Sequence, residues 1–312
     1  MDKMICNCFY CCNKLQSACC SQCMTNHRLD VYKRQQYKTL KSSVNSIRTQ
    51  LNLDGKSKEQ IVLKVHDYIA LHTDYDTAKK PGRKSYTAYG TLINGKAVCS
   101  GYATASELLL ESYGIPVVIA TSDKMDHAWS LVQLNKKWYH MDITWDDPYP
   151  EKKNYVTYWF FLKTDKEFRN HPKADHYKWN SSGIKCTSTR YSRLPITDNK
   201  KMSYRGTTWY YSKKNKSSSY SYRKYNFTFT KSTILANSTV PFVKYQSRIY
   251  YADKPYRIAS MTLTGQEKQK IVTVSKSKSA RLTSIKIKKG RIQYKYQLKG
   301  KKKTGTKKLT VH

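Results

Sequence analysis

Near residue 185 the apolar pattern of this 312-residue chain changes period. Upstream, between residues 57 and 165, aliphatic and aromatic side chains recur at three- and four-residue spacing or gather into β-branched runs. Downstream, short strand-like runs return at intervals of roughly ten residues, an all-β signal. Such a chain is expected to fold as two units, and its length suits about two domains with real cores. Charge divides at the same place. Residues 181 to 312 hold 32 Lys or Arg against three acids (Asp198, Asp253, Glu267), so +29 of the total +37 lies there. A field of that sign attracts nucleic acid, anionic cell-wall polymer or acidic lipid headgroups, and it equally serves as a solvated basic surface. Lys and Tyr interleave as in some nucleic-acid binders, but no recognised nucleic-acid motif accompanies them, so an anionic cell-wall polymer is the preferred polyanion.

Seven of the nine cysteines fall within the first 23 residues. Cys8-x-x-Cys11 and Cys20-x-x-Cys23 have formal zinc spacing, yet no core-forming residues surround them, and no metal or other cofactor is expected. Asp30-Val31-Tyr32-Lys33-Arg34-Gln35 is what a widely used transposon sequencing adapter encodes in one frame. Residues 1–35 are therefore expected to be a non-native or disordered segment, with a native signal peptide lost upstream. The sequence as it stands has neither a charged-then-apolar leader nor an 18-residue apolar run, so no transmembrane segment is expected.

Leu40, Val44, Ile47 and Leu51 predict one amphipathic helix over 36–53, broken at Asp54-Gly55. Ser57-x-x-Gln60 reads as a capping box opening a second helix with Ile61, Val65, Tyr68, Ile69 and His72 on one face. Residues 81–95 are turn-rich and should form a loop leading to Cys99, which opens a helix carrying Ala103 and Leu108 to Leu110 and stopping at Gly114. Val117–Thr121, Trp129–Leu134 and Trp138–Thr144 read as strands, the last two joined across Asn135-Lys136. A two-residue loop there makes positions summing to 271 face each other. His127 then opposes Thr144, Trp129 opposes Asp142, and His127 and Asp142 become diagonal neighbours on one face. A slip of one residue would separate them.

Cys99, His127 and Asp142 are a candidate nucleophile, base and orienter. A thiol attacks at neutral pH only as a stabilised thiolate, and a helix N-terminus with a neighbouring imidazolium supplies that stabilisation. A carboxylate beyond the ring fixes its tautomer, and N–H groups at the helix start are placed to receive an oxyanion. Taken singly, each residue has a plainer role: a core cysteine, a strand-start histidine, a turn-capping aspartate.

The stretch Ala88–Ala103 with its Gly95-Lys96-Ala97-Val98-Cys99, then Gly114-Ile115-Pro116, His127-Ala128-Trp129, and Lys137–Asp142 followed by Thr144-Trp145-Asp146, resembles the bacterial transglutaminase-like superfamily. His66-Asp67-Tyr68 and Tyr75-Asp76 resemble its leading helix. The resemblance covers roughly residues 36–180 and implies a papain-like α+β core, helices packed on an antiparallel sheet, with Cys99 as nucleophile, His127 as base and Asp142 as orienter. It also implies thiol-dependent acyl transfer or hydrolysis on protein or peptide amides. Asp146 and Asp147 fall far short of a calcium cage.

Residues 181–312 are expected to be a basic all-β region. Thr207–Ser212 and Ser247–Ala252 look alike and resemble the repeat of bacterial propeller-like surface proteins, which leaves a β-sandwich, an open repeat array or a truncated remnant as architectures. An extracellular or cell-surface location is expected on these grounds. The competing expectation is an inactive binding or adhesion protein that uses the basic region.

Overall fold

The computed structural model describes residues 27–309 apart from 151, 153, 172–175, 196 and 200, with side chains from residue 34 onward. The seven N-terminal cysteines and their zinc-like pairs lie outside the described residues. The chain divides into two compact units after residue 196.

In the first unit, helix α1 (His27–Leu51) buries Leu40, Val44 and Ile47 and begins upstream of the expected residue 36. Helix α2 (Lys58–His72) opens on the capping box read from the sequence: Gln60 N donates to Ser57 Oγ at 3.3 Å and Ser57 N to Gln60 Oε1 at 3.2 Å. Strand β1 (Asp74–Tyr75) runs parallel to β2 (Lys96–Ala97), and the turn-rich segment between them contains a 3₁₀ turn at Arg83–Tyr86 and a wide helical turn at Gly90–Asn94. Helix α3 (Cys99–Glu111) follows directly. It ends as a Gly-capped helix should, with Gly114 at φ +68° and Ile115 N donating to Leu110 O at 3.0 Å.

Strands β3 (Val117–Ser122), β4 (His127–Leu134) and β5 (Lys137–Met141) form an antiparallel sheet in that order. The β4–β5 register pairs Ser130 with Met141 and Leu134 with Lys137, the sum of 271 required by a two-residue loop. Asn135 and Lys136 both take positive φ, 52° and 59°, as such a tight hairpin demands. The third strand is shorter than the expected Trp138–Thr144. It stops at Met141 because Asp142 turns the chain, its side chain accepting from Trp145 N at 3.2 Å to cap a single helical turn, Ile143–Asp146. Trp129 and Leu131 pack with Ala120, Phe160, Phe168 and Cys186 on one face of the sheet. By alternation Ala128, Ser130 and Val132 occupy the other face, and α3 packs against the same strand.

Residues 181–195 belong to this first unit although their composition is polar. Cys186, Tyr191 and Leu194 are buried, and the Tyr191 hydroxyl donates to Glu59 Oε1 at 3.0 Å. Sparse anchors among Ser, Thr and Lys do not register as a core pattern.

The second unit is three consecutive antiparallel meanders. The first joins β6 (Met202–Arg205), β7 (Thr208–Lys214), β8 (Tyr220–Asn226) and β9 (Ser232–Ser238). The second joins β10 (Val243–Tyr245), β11 (Arg248–Lys254), β12 (Arg257–Thr262) and β13 (Gln269–Thr273). The third joins β14 (Arg281–Lys288), β15 (Arg291–Leu298) and β16 (Lys301–Lys308). The two similar sequences fall on β7 and β11, each the second strand of its meander. The middle sheet is buried on both faces: Ile249, Tyr251 and Met261 join Tyr210, Tyr222 and Ala236 of the first meander, while Tyr250, Ala252 and Ile258 join Leu282, Ile285 and Ile292 of the third. That two-sided burial explains why Ile249–Ala252 is a continuous apolar run rather than an alternating one.

Candidate active site

The three residues singled out in the sequence converge. Cys99 is the first residue of α3, half-buried, with Sγ 4.0 Å from Asp126 O. Val98 precedes it as N-cap but has no side-chain group to cap with, so the first-turn N–H groups carry no capping side chain. The helix can start this close to the preceding loop because residue 101 is glycine. A Cβ there would stand 2.6 Å from Ser85 O and 2.7 Å from Ala97 Cβ.

His127 opens β4, and its Nε2 donates to Asp142 Oδ2 at 2.7 Å. That bond leaves Nδ1 as the nitrogen available to the thiol. Burial is the largest single influence on the ring and disfavours its charge, but the charge and hydrogen bond of Asp142, followed by those of Cys99, outweigh it and push the His127 pKa up to about 10. Asp142 is fully buried and responds in the complementary sense: burial is again its largest influence and raises it, yet His127 and His176 hold the carboxyl well below its ordinary range. The site therefore rests as carboxylate and imidazolium. The ring is fixed in position by Trp129, stacked at 5.6 Å, and by Trp145 at 5.3 Å.

His176 is the residue that sequence reasoning missed. Its Nε2 donates to the same Asp142 oxygen at 2.9 Å, and its ring lies among Trp129, Trp145, Phe160 and Phe168. Nδ1 of this histidine is buried with no partner among the described residues. Asp142 thus accepts from two imidazoles and one backbone N–H, and its own N–H donates to Phe160 O at 3.2 Å.

A second buried pair stands behind the site. His66 on α2 bonds Asp67 Oδ1 at 3.0 Å and Asp146 Oδ2 at 3.1 Å. Asp146 Oδ1 accepts from Thr157 Oγ1, Trp159 N and Phe160 N at 2.8, 2.7 and 3.1 Å. The two partners shift in ways that compete. Burial lowers His66 most strongly, but Asp146 and Asp67 together push its pKa up to about 9. Burial also dominates Asp146 and raises it against the pull of His66. We take the pair as ionised, because every donor around Asp146 points at its oxygens and leaves no place for a proton. Asp146 thereby ties α2 to the 157–160 segment, which in turn receives the N–H of Asp142.

Cys186, the other described free cysteine, is buried and its pKa is pushed up to about 12 by burial and by Asp165, so it stays a thiol. It lies with His140 and Asp165, and His127 lies with Asp142 and His176, in clusters whose ligand-type atoms fall within 4.8 Å. Both clusters are already joined by hydrogen bonds. His140 Nε2 donates to Asp165 Oδ1 at 2.8 Å, and Trp129 Nε1 donates to His140 Nδ1 at 2.9 Å, so neither nitrogen of His140 is left to a cation. Asp147, weighed with Asp146 as a calcium ligand, has its Oδ2 2.6 Å from the Tyr102 hydroxyl.

Residues 46–143, a span that contains Cys99, His127 and Asp142, match the family model of the transglutaminase-like superfamily. Kyphoscoliosis peptidase of Mus musculus is 25% identical over 163 residues, covering 46% of this chain and 24% of that protein. Its Homo sapiens counterpart is 24% identical over 174 residues, covering 50% and 26%. The chain spans about a quarter of the length of these curated relatives. A solved structure described as a crystal structure of a TGase aligns with a TM-score of 0.31 at 18% identity, covering 47% of this chain and 39% of that one. Over residues 46–143 the first unit, with its α+β core, is similar to the transglutaminase-like superfamily.

Proposed function

We propose that the first unit is a thiol-dependent acyltransferase or hydrolase acting on protein or peptide amides, with Cys99 as nucleophile, His127 as proton carrier and Asp142 as its orienter. The observation that carries this is the 2.7 Å bond from His127 Nε2 to a buried Asp142, on a ring that also interacts with the thiol of Cys99. The Cys99 thiolate adds to the amide carbonyl carbon, and the displaced π pair becomes an oxyanion at the start of α3, where the Cys99 N–H receives it. Collapse breaks the C–N bond as the His127 imidazolium gives its proton to the leaving amine or ammonia, leaving a thioester. An incoming amine or water then loses a proton to His127 as it attacks the thioester, and the thiolate departs. A lysine amine gives an isopeptide bond, and water gives an acid.

The test is incubation of the full chain with a glutamine-bearing protein and a fluorescent primary amine, in parallel with Cys99→Ala. Amine incorporation, ammonia release and new peptide N-termini are read separately, so the three outcomes of the thioester are distinguished. Reaction by the parent protein that is absent in Cys99→Ala is expected. Any of the three persisting in the variant rules out Cys99 as nucleophile, and absence of all three in the parent favours the adhesion scaffold.

A further inference from the structure

The third meander of the second unit has two unlike faces. Pairing places Leu282 opposite Tyr296, Ile285 opposite Tyr294 and Ile287 opposite Ile292. These residues face the middle sheet and join its apolar cluster. Their alternates form the other face, and there the pairings align Lys288, Arg291 and Lys308 in one row across all three strands. Two residues along, Lys286 stands beside Gln293 and Thr306, then Lys295 beside Ser284 and Thr304, then Arg281 and Lys302 on either side of Gln297. All seven cations are exposed, and the sequence holds no acid from residue 268 to its end. No residue on this face is apolar, so it is not shaped to receive another sheet as both faces of the middle meander are.

We propose that this face is a docking surface for a flexible phosphodiester polymer that carries no bases, of the polyol-phosphate class. Each outward row, about 6.8 Å from the next, carries at least one cation, and in the Lys288–Arg291–Lys308 row they stand about 4.8 Å apart. That lattice suits a chain with one charge per short repeat. Each phosphate that meets a Lys or Arg releases condensed counterions, so affinity is electrostatic and falls with salt. Single-stranded nucleic acid carries the same charge but draws much of its affinity from stacking on aromatic side chains. Tyr294 and Tyr296 are the aromatics of β15, and both belong to the opposite face. A lipid surface would be drawn by the charge as well, but the face has no apolar side chain to insert into it.

The experiment measures binding of the full chain to fluorescently labelled poly(glycerol phosphate) across a salt series. Oligo(dT) with the same number of phosphates and anionic phospholipid vesicles serve as comparison arms. Seven contacts give an expected slope of log K against log salt of about −5. The triple variant Lys288→Gln, Arg291→Gln, Lys308→Gln should reduce it to about −3 and weaken binding on the order of a hundredfold at 0.1 M salt. A control with equal charge loss on the first meander, Lys213→Gln, Lys214→Gln, Lys216→Gln, should keep the parent slope. Equal losses in the two triple variants would overturn the proposal in favour of diffuse charge. Tighter binding of oligo(dT) or vesicles than of poly(glycerol phosphate) would overturn it in favour of those partners, and this comparison needs only the parent protein.

Discussion

Asp146→Asn isolates the element that holds the candidate active site in shape. The substituted amide can keep its carbonyl oxygen where Oδ1 stands and still accept from Thr157 Oγ1, Trp159 N and Phe160 N. Its NH₂ must then occupy the place of Oδ2 and confront the donor at His66 Nε2, now 3.1 Å from a carboxylate oxygen. One charge-assisted hydrogen bond is lost, worth about 1.5–3 kcal/mol, and a buried imidazolium loses one of its two carboxylates. Removing one partner of a buried pair costs about 3–5 kcal/mol, and Asp67, remaining at 3.0 Å, puts this case near the lower end, about 3 kcal/mol.

The cost falls as pH rises through the titration of His66. His66 has a folded pKa raised to about 9 from an ordinary 6.5, so the stability it contributes is complete below pH 6.5 and disappears as pH rises through 9. The difference between parent and variant is therefore largest near pH 6 and shrinks by pH 9.5, groups common to both cancelling. Urea unfolding at the two pH values, followed by tryptophan fluorescence, measures it. A difference below about 1 kcal/mol at pH 6, or one that is the same at both pH values, would refute the ionised pair.

The activity of the first unit should show an alkaline limb near pH 10, since above that His127 no longer holds the proton destined for the leaving amine, and a limb below about pH 8 in a kcat/KM profile would contradict the Asp142 pairing. His176→Phe should lower kcat about ten- to a hundredfold with KM unchanged and the alkaline limb retained, because the ring positions Asp142 without touching substrate. A fall in melting temperature with kcat intact would make His176 purely structural. Gly101→Ala should destabilise by about 1–3 kcal/mol, as its methyl meets Ser85 O and Ala97 Cβ, and should slow thiol alkylation of Cys99 by shifting the start of α3, which denaturation and iodoacetamide labelling test separately.

What could be read from the sequence follows the range of the interactions concerned. The capping box at Ser57, the Gly114 helix stop and the Asn135-Lys136 hairpin depend on residues within a few positions of one another, and the structure has all three. The hairpin register brought His127 toward Asp142 on local grounds alone. It nevertheless carried the strand three residues too far, because Asp142 can satisfy a ladder position or cap a turn, and the choice depends on Trp145 N, beyond the alternating pattern. In the second unit Ile249–Ala252 marked a strand, but continuity of its apolar run means a neighbour on each face, and those neighbours come from separate meanders.

His176 shows where such reasoning ends. It lies 34 residues beyond Asp142, outside the matched span 46–143, in an irregular segment with no period to place it. Its one backbone anchor among the described residues is N–H to Phe168 O at 2.9 Å, and its ring is positioned by four aromatic side chains from four separate places in the chain. The demand for it comes from Asp142 instead. A carboxylate wholly removed from water needs more than one donor to remain charged. His127 gives one to Oδ2 and Trp145 N one to Oδ1, which leaves each oxygen with a single donor and a further lone pair to satisfy out of reach of water. A buried catalytic-type aspartate read from a sequence therefore implies a further donor that local patterns do not reveal, and in this chain that donor is the His176 imidazole.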